Sequence, residues 1–308
     1  MSDSLDAKNN EPLDQLPRRP NKSLIDKFKS KLDEDGLAGA IGKAASYVMR
    51  RFGFSDPIEK RRMSLNLRLD RQFESTIAYG PFKGFKFSPD NWWSKRERGS
   101  MLLGIYEQEL LSDLSKISKR YDTFIDLGAA DGYYGVGVLS SGMFRTSYCF
   151  EISEAGREVI RKNSTLNKVD DRITIYGMAD NNFYNLIDLD TFENCVLFVD
   201  IEGGEFSLFD EGVFSKFRNS IIFIEMHEIF FENGEKLLIE FKNRASSYFS
   251  VSELRTTNRD VSTFSELQNW SDTDRWLICS EGREKLMTWL RLDPIRPAPK
   301  SIAKQRGR

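Results

Sequence analysis

The sequence predicts an α/β protein with a doubly wound sheet of seven mostly parallel strands, preceded by an N-terminal extension of helices and a hairpin. Beyond residue 120, short apolar runs rich in β-branched residues alternate with amphipathic helical patterns. A glycine-bearing turn, Gly128–Gly132, joins the first apolar run to the first helix, and acidic residues directly follow several of the runs. These observations indicate a Rossmann-like fold with a ligand site at the carboxyl ends of the strands.

Composition narrows the class of protein. The chain has 308 residues and a formal net charge of -2, so no basic field indicates nucleic acid as a partner. No apolar run approaches the ~20 residues that a membrane span needs, and the first residues lack the apolar segment of a secretory signal. Cys149, Cys195 and Cys279 have no CxxC spacing and lie in apolar runs that we interpret as strands, which favours reduced core thiols. We therefore expect a cytoplasmic protein without stable membrane insertion.

The chain divides into four predicted regions. Residues 1–35 are polar and charged, which predicts a disordered tail. Residues 36–120 are the predicted helical and hairpin extension, on the lid or substrate side of the site. Residues 121–290 are the predicted ligand-binding domain, and residues 291–308 are a predicted basic, disordered tail.

Within the extension, three segments and a pair of tryptophans have recognisable patterns. Residues 37–54 predict an amphipathic helix that packs on the main domain or a partner, with a membrane surface as the alternative. Residues 79–87 alternate aromatic and polar residues, as in a small hairpin. Trp92 and Trp93 follow in a polar loop, and we expect one in the core and the other in a pocket. Residues 98–118 predict one periodic helix.

From residue 120 onward the strand and helix patterns alternate. The strands are predicted at 123–127, 146–151, 172–176, 195–201, 220–226, 248–254 and 275–280. The helices are predicted at 132–141, 153–165, 204–217 and 232–245, with a shorter one around 182–189. No helical pattern separates the last two strands, so we expect the final strand to enter antiparallel beside its neighbour.

The turn after the first strand is a candidate ligand site. Gly128 and Gly132 let the backbone approach a ligand closely, and the helix start behind them offers unpaired N–H groups. Asp126 and Asp131 bracket the turn. Two carboxylates disfavour a phosphate at this position, whereas a cationic or hydroxyl-rich ligand is compatible with them.

Acidic residues at the other strand ends point to the same edge of the sheet. Glu151 follows the second strand, at about the 20-residue spacing from the glycines expected of a ribose-binding carboxylate. The remaining strand-end groups are Asp180, Asp200, Glu202, Glu205, Glu225, His227 and Glu228. An apolar strand runs directly into Glu151 and into Asp200, which favours a functional role for both. For Asp131, Glu205 and Glu228, a helix cap or a solvated loop carboxylate is an equal alternative.

On these residues, the segment from about 100 to 280 resembles the class I S-adenosylmethionine-dependent methyltransferases, and looks most like the FkbM-type family. The matching segments are Leu103–Glu107, Ile125–Gly132, Phe150–Glu151, Val199–Glu205 and Ile224–His227. Ala130 departs from the alternating-glycine pattern of such enzymes, in which a glycine is common at this position.

The resemblance implies S-adenosylmethionine as the cofactor and residues 121–290 as the methyltransferase domain. Gly128 and its neighbours would face the methionine and ribose, and Asp126 would hold the turn or the methionine amine. Glu151 would accept both ribose hydroxyls, and Ala179 and Asp180 would lie near the adenine. The implied cofactor-binding residues are Glu107, Asp126, Gly128, Ala129, Asp131, Gly132, Glu151, Ile152, Ala179, Asp180 and Asp200.

The resemblance also implies catalytic roles for His227, Asp200, Glu202 and Glu225 around the methyl acceptor. Transfer from a sulfonium needs in-line alignment, and a hydroxyl acceptor needs a base that takes its proton. His227 is a candidate base because of its ordinary pKa, and Asp200 or Glu202 are the alternatives. The clustered acids are also compatible with a divalent metal, although the sequence does not indicate one.

The favoured activity is O-methylation of a hydroxyl on a sugar, polyol or secondary metabolite, with a small molecule or a glycan as the acceptor. An NAD-dependent oxidoreductase is an alternative because Glu151 fits a ribose there too. It is disfavoured because the turn lacks GxGxxG and no Tyr-x-x-x-Lys pair is evident. A non-catalytic cofactor-binding scaffold is the second alternative, and the row of strand-end acids argues against it.

Overall fold

One seven-stranded sheet organises the fold. Its strands are β1 (Thr123–Leu127), β2 (Thr146–Phe150), β3 (Ile173–Tyr176), β4 (Cys195–Val199), β5 (Ile221–Met226), β6 (Phe249–Leu254) and β7 (Thr288–Pro294). They stand in the order β3-β2-β1-β4-β5-β7-β6. The first five strands pair in parallel, and β7 lies antiparallel between β5 and β6. The predicted Rossmann-like, mostly parallel sheet is confirmed.

The computed structural model describes residues 56–93, 95–283 and 287–295. Its α-helices are α1 (Pro57–Gln72), α2 (Arg98–Leu102), α3 (Gln108–Ile117), α4 (Tyr133–Ser140), α5 (Glu154–Leu166), α6 (Glu205–Leu208), α7 (Glu211–Lys216), α8 (Gly234–Ala245) and α9 (Asp272–Cys279). Short 3-10 helices lie at Asp170–Arg172, Phe183–Leu186, Glu228–Phe230, Val261–Thr263 and Ser265–Leu267.

The central strands β1, β2, β4 and β5 are buried on both faces, and successive side chains of a strand enter different cores. Phe124 and Phe198 face a core that includes the buried residues of α1, α3 and α4. Ile125 and Leu197, one residue away on the same strands, face a second core with α7 and α8. This alternation follows from the period of two along a strand. Because both faces are covered, ligands reach the sheet at the ends of its strands.

The extension packs against the C-terminal part of the chain through α1 and α9. Arg62, although charged, is buried and donates hydrogen bonds to the carbonyl oxygens of Leu277 and Ser280. Asn66, also on α1, accepts from the Gly99 amide at 3.0 Å, which fixes the start of α2. The extension therefore forms one body with the sheet domain.

Several predicted elements of the extension differ from the observed ones. The predicted helix at 98–118 is two helices, since Gly104 and Glu107 between them have φ angles of +67° and +45°. The predicted hairpin at 79–87 is a turn closed by a single antiparallel bridge between Thr76 and Lys86. The predicted helix at 37–54 and the tail at 1–35 lie outside the described residues.

The C-terminal elements also need correction. The predicted strand at 275–280 is the helix α9, whose first turn is capped by Ser271, an acceptor for the Asp274 amide at 3.2 Å. The seventh strand lies at 288–294 instead, so the predicted boundary of the basic tail at residue 291 falls inside β7. The predicted helix at 204–217 is interrupted at Phe209, because Asp210 caps a new helix through the Val213 amide. Residues 296–308 lie outside the described chain.

The shorter predictions have mixed outcomes. The helix predicted around 182–189 is the 3-10 helix Phe183–Leu186. All three cysteines are buried and free, Cys149 and Cys195 in strands but Cys279 in α9. Among the described residues, the helices are too short or too polar to cross a membrane.

Candidate active site at the strand ends

A cavity of about 480 Å³ lies at the carboxyl ends of β1, β2 and β4. Its size is within the range of small-molecule sites, and its place is the one expected for an open parallel sheet. The residues after the strands that line it are Gly128, Ala129, Ala130, Glu151, Ile152, Met178, Ala179, Asp180, Asn181, Asp200, Ile201 and Glu202, with Asp126 from β1 itself. Most of the predicted site residues therefore share one cavity.

Aromatic residues from outside the strand ends complete the lining. Trp92, Trp93 and Tyr106 come from the extension, and Tyr133 and Tyr134 come from the first turn of α4. Trp92 and Trp93 are 44% and 56% exposed, so the expectation that one of them lies in the core is wrong. Their aromatic faces remain available to a ligand.

The turn after β1 requires a glycine at its first position. Gly128 has a φ of +87°, and a Cβ atom there would lie 1.8 Å from the carbonyl oxygen of Asp200. The amides of Gly128 and Ala129 both donate to the Phe150 carbonyl, at 2.9 and 3.0 Å. The turn therefore packs between the ends of β2 and β4. This contact brings the loops after β1, β2 and β4 into one site.

Asp126 is buried in β1 and joins this strand to α4. Its Oδ2 accepts a hydrogen bond from the Gly135 amide at 3.0 Å. Burial raises the pKa of Asp126 to about 7, the Gly135 amide opposes this shift, and the nearby Glu151 adds to it. Asp126 therefore positions the helix start, as expected, and its carboxyl group also borders the cavity.

Glu151 presents an anchored carboxylate to the cavity. Its two oxygens accept from the amides of Ala130 and Ser153, each at 2.8 Å. Burial raises the pKa of Glu151, and these two amides oppose the shift. A carboxylate has about four acceptor positions, so two bonds to the backbone leave room for two ligand hydroxyls. The side chain is held in place before any ligand arrives.

The loops after β2 and β3 form an apolar part of the wall. Ile152 and Met178 line the cavity and are 59% and 55% exposed, so their apolar side chains are accessible to a ligand. Asp180 accepts from the Asn182 amide at 2.8 Å and so fixes the loop after β3. This wall offers contact to a flat, weakly polar group.

Acidic residues and His227 meet at the ends of β4 and β5. Asp200 and Glu202 line the cavity, whereas His227 lies behind them and is 2% exposed. His227 Nε2 lies 3.5 Å from Asp200 Oδ1 and 3.8 Å from Glu202 Oε2. Because β4 and β5 are parallel neighbours, their ends bring these side chains together.

Glu205 holds this arrangement from below. It is fully buried, and its two oxygens accept from the His227 amide at 2.7 Å and the Gly203 amide at 2.9 Å. His227 Nδ1 lies 3.4 Å from Glu205 Oε1. The sequence left its role open between a cap and a functional acid; in the structure it ties the β4 loop to the β5 loop.

The charges of this group shift the pKa values of its members. Burial lowers the pKa of His227, but contacts with Glu205 and Asp200 outweigh it and raise this pKa to about 9. Burial raises the pKa of Asp200 to about 7, and His227 opposes that shift. Perturbed pKa values of this kind are frequent at functional sites.

Arg283 supports the site from outside the cavity lining, and the sequence did not reveal it. It forms ion pairs with Glu225 and Glu107 and approaches Glu281 Oε2 at 3.1 Å. Burial raises the pKa of both Glu107 and Glu225 to about 8, and the Arg283 guanidinium opposes both shifts. The stretch from Glu281 to Lys285 reads as an ordinary charged loop, so no sequence signal marked Arg283.

Five predicted site residues do not line the cavity. Glu107 accepts from the Tyr134 hydroxyl and pairs with Arg283, and Glu225 and His227 lie behind the wall. Asp131 accepts from the amides of Trp92 and Trp93, at 2.8 and 3.1 Å, and so holds the tryptophan loop. Gly132 caps α4 with a φ of +79°. These residues support the site through other residues.

Comparisons with known proteins find solved structures only. No protein-family model matches the chain, and no curated protein matches it. A putative O-methyltransferase from Klebsiella pneumoniae has 13% identity and a TM-score of 0.42, over 82% of this chain and 96% of that one. An O-methyltransferase from Bacillus cereus, in complex with SAH, has 13% identity and a TM-score of 0.41, over 81% and 96%. A putative rRNA-methylase from Clostridium thermocellum has 15% identity and a TM-score of 0.43, over 62% and 99%. At these values, the likenesses assign no residue role or substrate to this chain.

Proposed function

We propose that the protein is an S-adenosylmethionine-dependent methyltransferase that methylates a hydroxyl group of a small molecule or glycan, such as a sugar, a polyol or a secondary metabolite. The observation that carries the proposal is the single cavity that holds the glycine turn, Glu151, Asp180 and the acids after β4. The resemblance to FkbM-type enzymes rests on the same residues. The cavity has a different character at each end, one suited to an adenosyl group and the other to hydroxyls.

The cofactor's parts match the successive loops. Glu151 would accept the ribose hydroxyls, since its carboxylate is already oriented by two amides. The adenine would contact Ile152, Met178 and Ala179, and the methionine part would pass over Gly128. The positive sulfonium would then lie near Asp200, where negative charge stabilises it.

The charge of the lining separates this cofactor from a dinucleotide. Of the residues that line the cavity in the described chain, all the ionisable ones other than tyrosine are carboxylic acids, and none is lysine or arginine. A pyrophosphate would meet these acids without a compensating cation, whereas a sulfonium would be attracted to them. This contrast favours S-adenosylmethionine over NAD.

The acceptor would lie beside Asp200 and Glu202, the acids that border the cavity. Methyl transfer depends mostly on the alignment of the acceptor oxygen with the methyl carbon, and carboxylates can orient a hydroxyl by accepting its hydrogen bond. His227 would act on the acceptor through Asp200 and Glu202, and Glu225 through His227, since neither borders the cavity. The absence of nucleic acid among the acceptors stays a prediction.

Calorimetry with S-adenosylmethionine, S-adenosylhomocysteine and NAD tests the cofactor. We expect both adenosyl ligands to bind and Glu151→Gln to weaken them at least tenfold, since a neutral amide accepts hydroxyls less well. Glu158→Gln is the matched control, because Glu158 lies on the exposed side of α5 and does not line the cavity. Binding of NAD alone would overturn the proposal.

A methyl-transfer assay tests the acceptor. Labelled S-adenosylmethionine is incubated with the chain and sugars, polyols, phenols or structured RNA. Methylation of a hydroxyl in the first three groups is the expected result, and Asp200→Asn should slow it at least a hundredfold. Methylation of RNA alone would refute the acceptor class while leaving the cofactor assignment intact.

A further inference from the structure

The cluster behind the acceptor end of the cavity has the composition of a metal site. Asp200, Glu202 and His227 each offer one ligand atom, and the three atoms lie within 4.8 Å of one another. His227 Nε2 is 3.5 Å from Asp200 Oδ1 and 3.8 Å from Glu202 Oε2. Two ligands that each bind one ion at about 2.1 Å lie roughly 3 to 4 Å apart, so these pairs need little rearrangement.

The negative charge of the carboxylates in the cluster exceeds the positive charge of the basic side chains around them. Arg283 pairs with Glu225 and Glu107. Among the residues that the structure describes, His227 is the only basic side chain within 4.0 Å of Asp200, Glu202 or Glu205. One imidazole thus faces three carboxylates, which is an arrangement that a divalent cation stabilises.

Two buried polar atoms of the cluster also lack hydrogen-bond partners in the described chain. These are Asp200 Oδ1 and His227 Nδ1. The His227 side chain is almost wholly buried, and its other nitrogen, Nε2, is directed at Asp200. Because His227 Nδ1 faces Glu205 Oε1 at 3.4 Å, the atom that indicates a missing ligand is Asp200 Oδ1, a buried carboxylate oxygen without a hydrogen-bond partner among the described residues.

We propose that Asp200, Glu202 and His227 Nε2 bind one divalent cation at the acceptor end of the cavity. Glu225 Oε2, 3.6 Å from Nε2, is close enough to contribute a further oxygen. Glu205 is a positioning residue here, because it holds the His227 amide and lies next to Nδ1. A carboxylate beside the second nitrogen is the usual support of a ligating histidine.

The donor set indicates the class of ion. One imidazole nitrogen and two or three carboxylate oxygens suit Mn²⁺, Fe²⁺ or Zn²⁺ better than Mg²⁺ or Ca²⁺, which take oxygen ligands almost exclusively. The side chains of Asp200 and Glu202 are 33% and 44% exposed, so the ion would be open to the cavity on one side. If the proposed methyl transfer is correct, an acceptor oxygen would complete the coordination there.

Titration with Mn²⁺ tests the site without any activity measurement. The metal-free chain is titrated, and free Mn²⁺ is read from its electron paramagnetic resonance signal. One ion per chain is expected, and Asp200→Asn and Glu202→Gln should each weaken binding at least tenfold. Asp180→Asn is the matched control, since Asp180 borders the same cavity but belongs to the loop after β3. Zn²⁺ should displace Mn²⁺, and a hundredfold excess of Mg²⁺ should not.

The outcomes separate this proposal from the proposed function. Absence of stoichiometric Mn²⁺ binding would overturn it, as would binding that both variants leave unchanged. Both substituted side chains are partly exposed, so the variants should keep the melting temperature of the parent within a few degrees, which is measured in parallel. The affinity for S-adenosylhomocysteine is measured on the same samples. A methyltransferase without a metal site would bind S-adenosylhomocysteine but not Mn²⁺. A metal-binding protein that is not a methyltransferase would bind Mn²⁺ but not S-adenosylhomocysteine.

Discussion

At the scale of single residues, burial governs the chemistry of the site. Asp126 and Asp200 have pKa values raised to about 7, and Glu107 and Glu225 to about 8, mainly because the surrounding protein desolvates their carboxyl groups. Ala130, the residue that departs from the expected glycine pattern, takes a φ of +47° despite its Cβ. Its amide gains a bond to Glu151 in return. The local strain therefore serves the Glu151 carboxylate, which is proposed to bind the ribose.

The raised pKa of Asp126 makes stability depend on pH. The pKa of Asp126 is about 7 in the native state and 3.8 in the unfolded state. Between these two pH values the native state keeps a proton on Asp126 that the unfolded state has lost. The contribution of Asp126 to the free energy of unfolding therefore falls as the pH rises through this window. Asp126→Asn removes the titration. We compare the free energy of unfolding of the variant with that of the parent at each pH. We expect this difference to favour the variant by about 2 to 4 kcal/mol more at pH 8 than at pH 4.

Urea denaturation of the ligand-free protein at the two pH values measures this difference. The parent's other titrating groups cancel in the comparison, apart from Glu151, whose charge lies close to Asp126. An equal effect of the substitution at both pH values would show that Asp126 titrates normally.

Arg283 is expected to be the most costly cation to remove from the described chain. Arg283→Met would leave Glu107 and Glu225 buried without the guanidinium that pairs with both, which costs about 3 to 5 kcal/mol. Arg161→Met is the control, since Arg161 pairs with exposed glutamates and should cost less than about 1 kcal/mol. Denaturation midpoints of the two variants give the comparison, and similar values would refute the structural role of Arg283.

At the scale of elements, the loops after β1 and β4 depend on each other through Gly128. Gly128→Ala would place a Cβ against the Asp200 carbonyl, so the β1 turn and the β4 loop must separate. We expect a loss of at least about 3 kcal/mol of stability and of S-adenosylhomocysteine binding. Gly142→Ala is the matched control, because its φ is +73° but no atom lies within 4 Å of the added Cβ.

For Gly142→Ala the left-handed backbone alone should cost about 1 to 2 kcal/mol and leave ligand binding unchanged. Calorimetry and thermal unfolding of both variants make the test. If both substitutions lower stability and ligand binding equally, the close approach of Gly128 to the Asp200 carbonyl is not the reason for a glycine at this position.

Local patterns predicted the first five strands well and the last one badly. Each of the first four is an apolar run followed directly by an acid or a glycine, and the apolar run of β5 is followed by His227, so their type and position follow from local sequence. The run from Arg275 to Ser280 looks similar, yet Ser271 and the acids after it start a helix there. The true last strand, β7, ends in Asp293-Pro294 and is polar enough to resemble a tail.

The candidate site was predictable where parallel topology decides it. Glu151, Asp180 and Asp200 follow β2, β3 and β4, which belong with β1 to one contiguous parallel set of strands, so their carboxyl ends lie at the same edge of the sheet. Arg283 and Tyr106 reach the site through long-range packing, and short patterns do not encode such contacts. Asp131 and Glu107 were placed on the cofactor by their position in the motif, but each side chain turns toward a neighbouring loop instead.

At the scale of the whole molecule, the extension and the sheet domain form one cavity. Trp92, Trp93, Met101 and Tyr106 line it together with the strand ends. We therefore expect S-adenosylhomocysteine to slow amide hydrogen exchange in residues 91–106 as well as in 126–135 and 150–157.

Exchange followed by mass spectrometry measures this protection, and helix α8, none of whose residues lines the cavity, is the internal reference. Protection limited to the strand-end loops would mean that the extension takes no part in cofactor binding.

The carboxylate of Asp131 accepts hydrogen bonds from the backbone amides of both tryptophans and so ties their loop to the turn that is proposed to bind the cofactor. We expect a movement of that turn to displace the two indole rings, which are partly exposed to solvent. Indole emission changes with solvent contact and with nearby rings, so the chain carries its own optical reporter. Filling of the cavity can be followed in real time by intrinsic fluorescence, with no label attached.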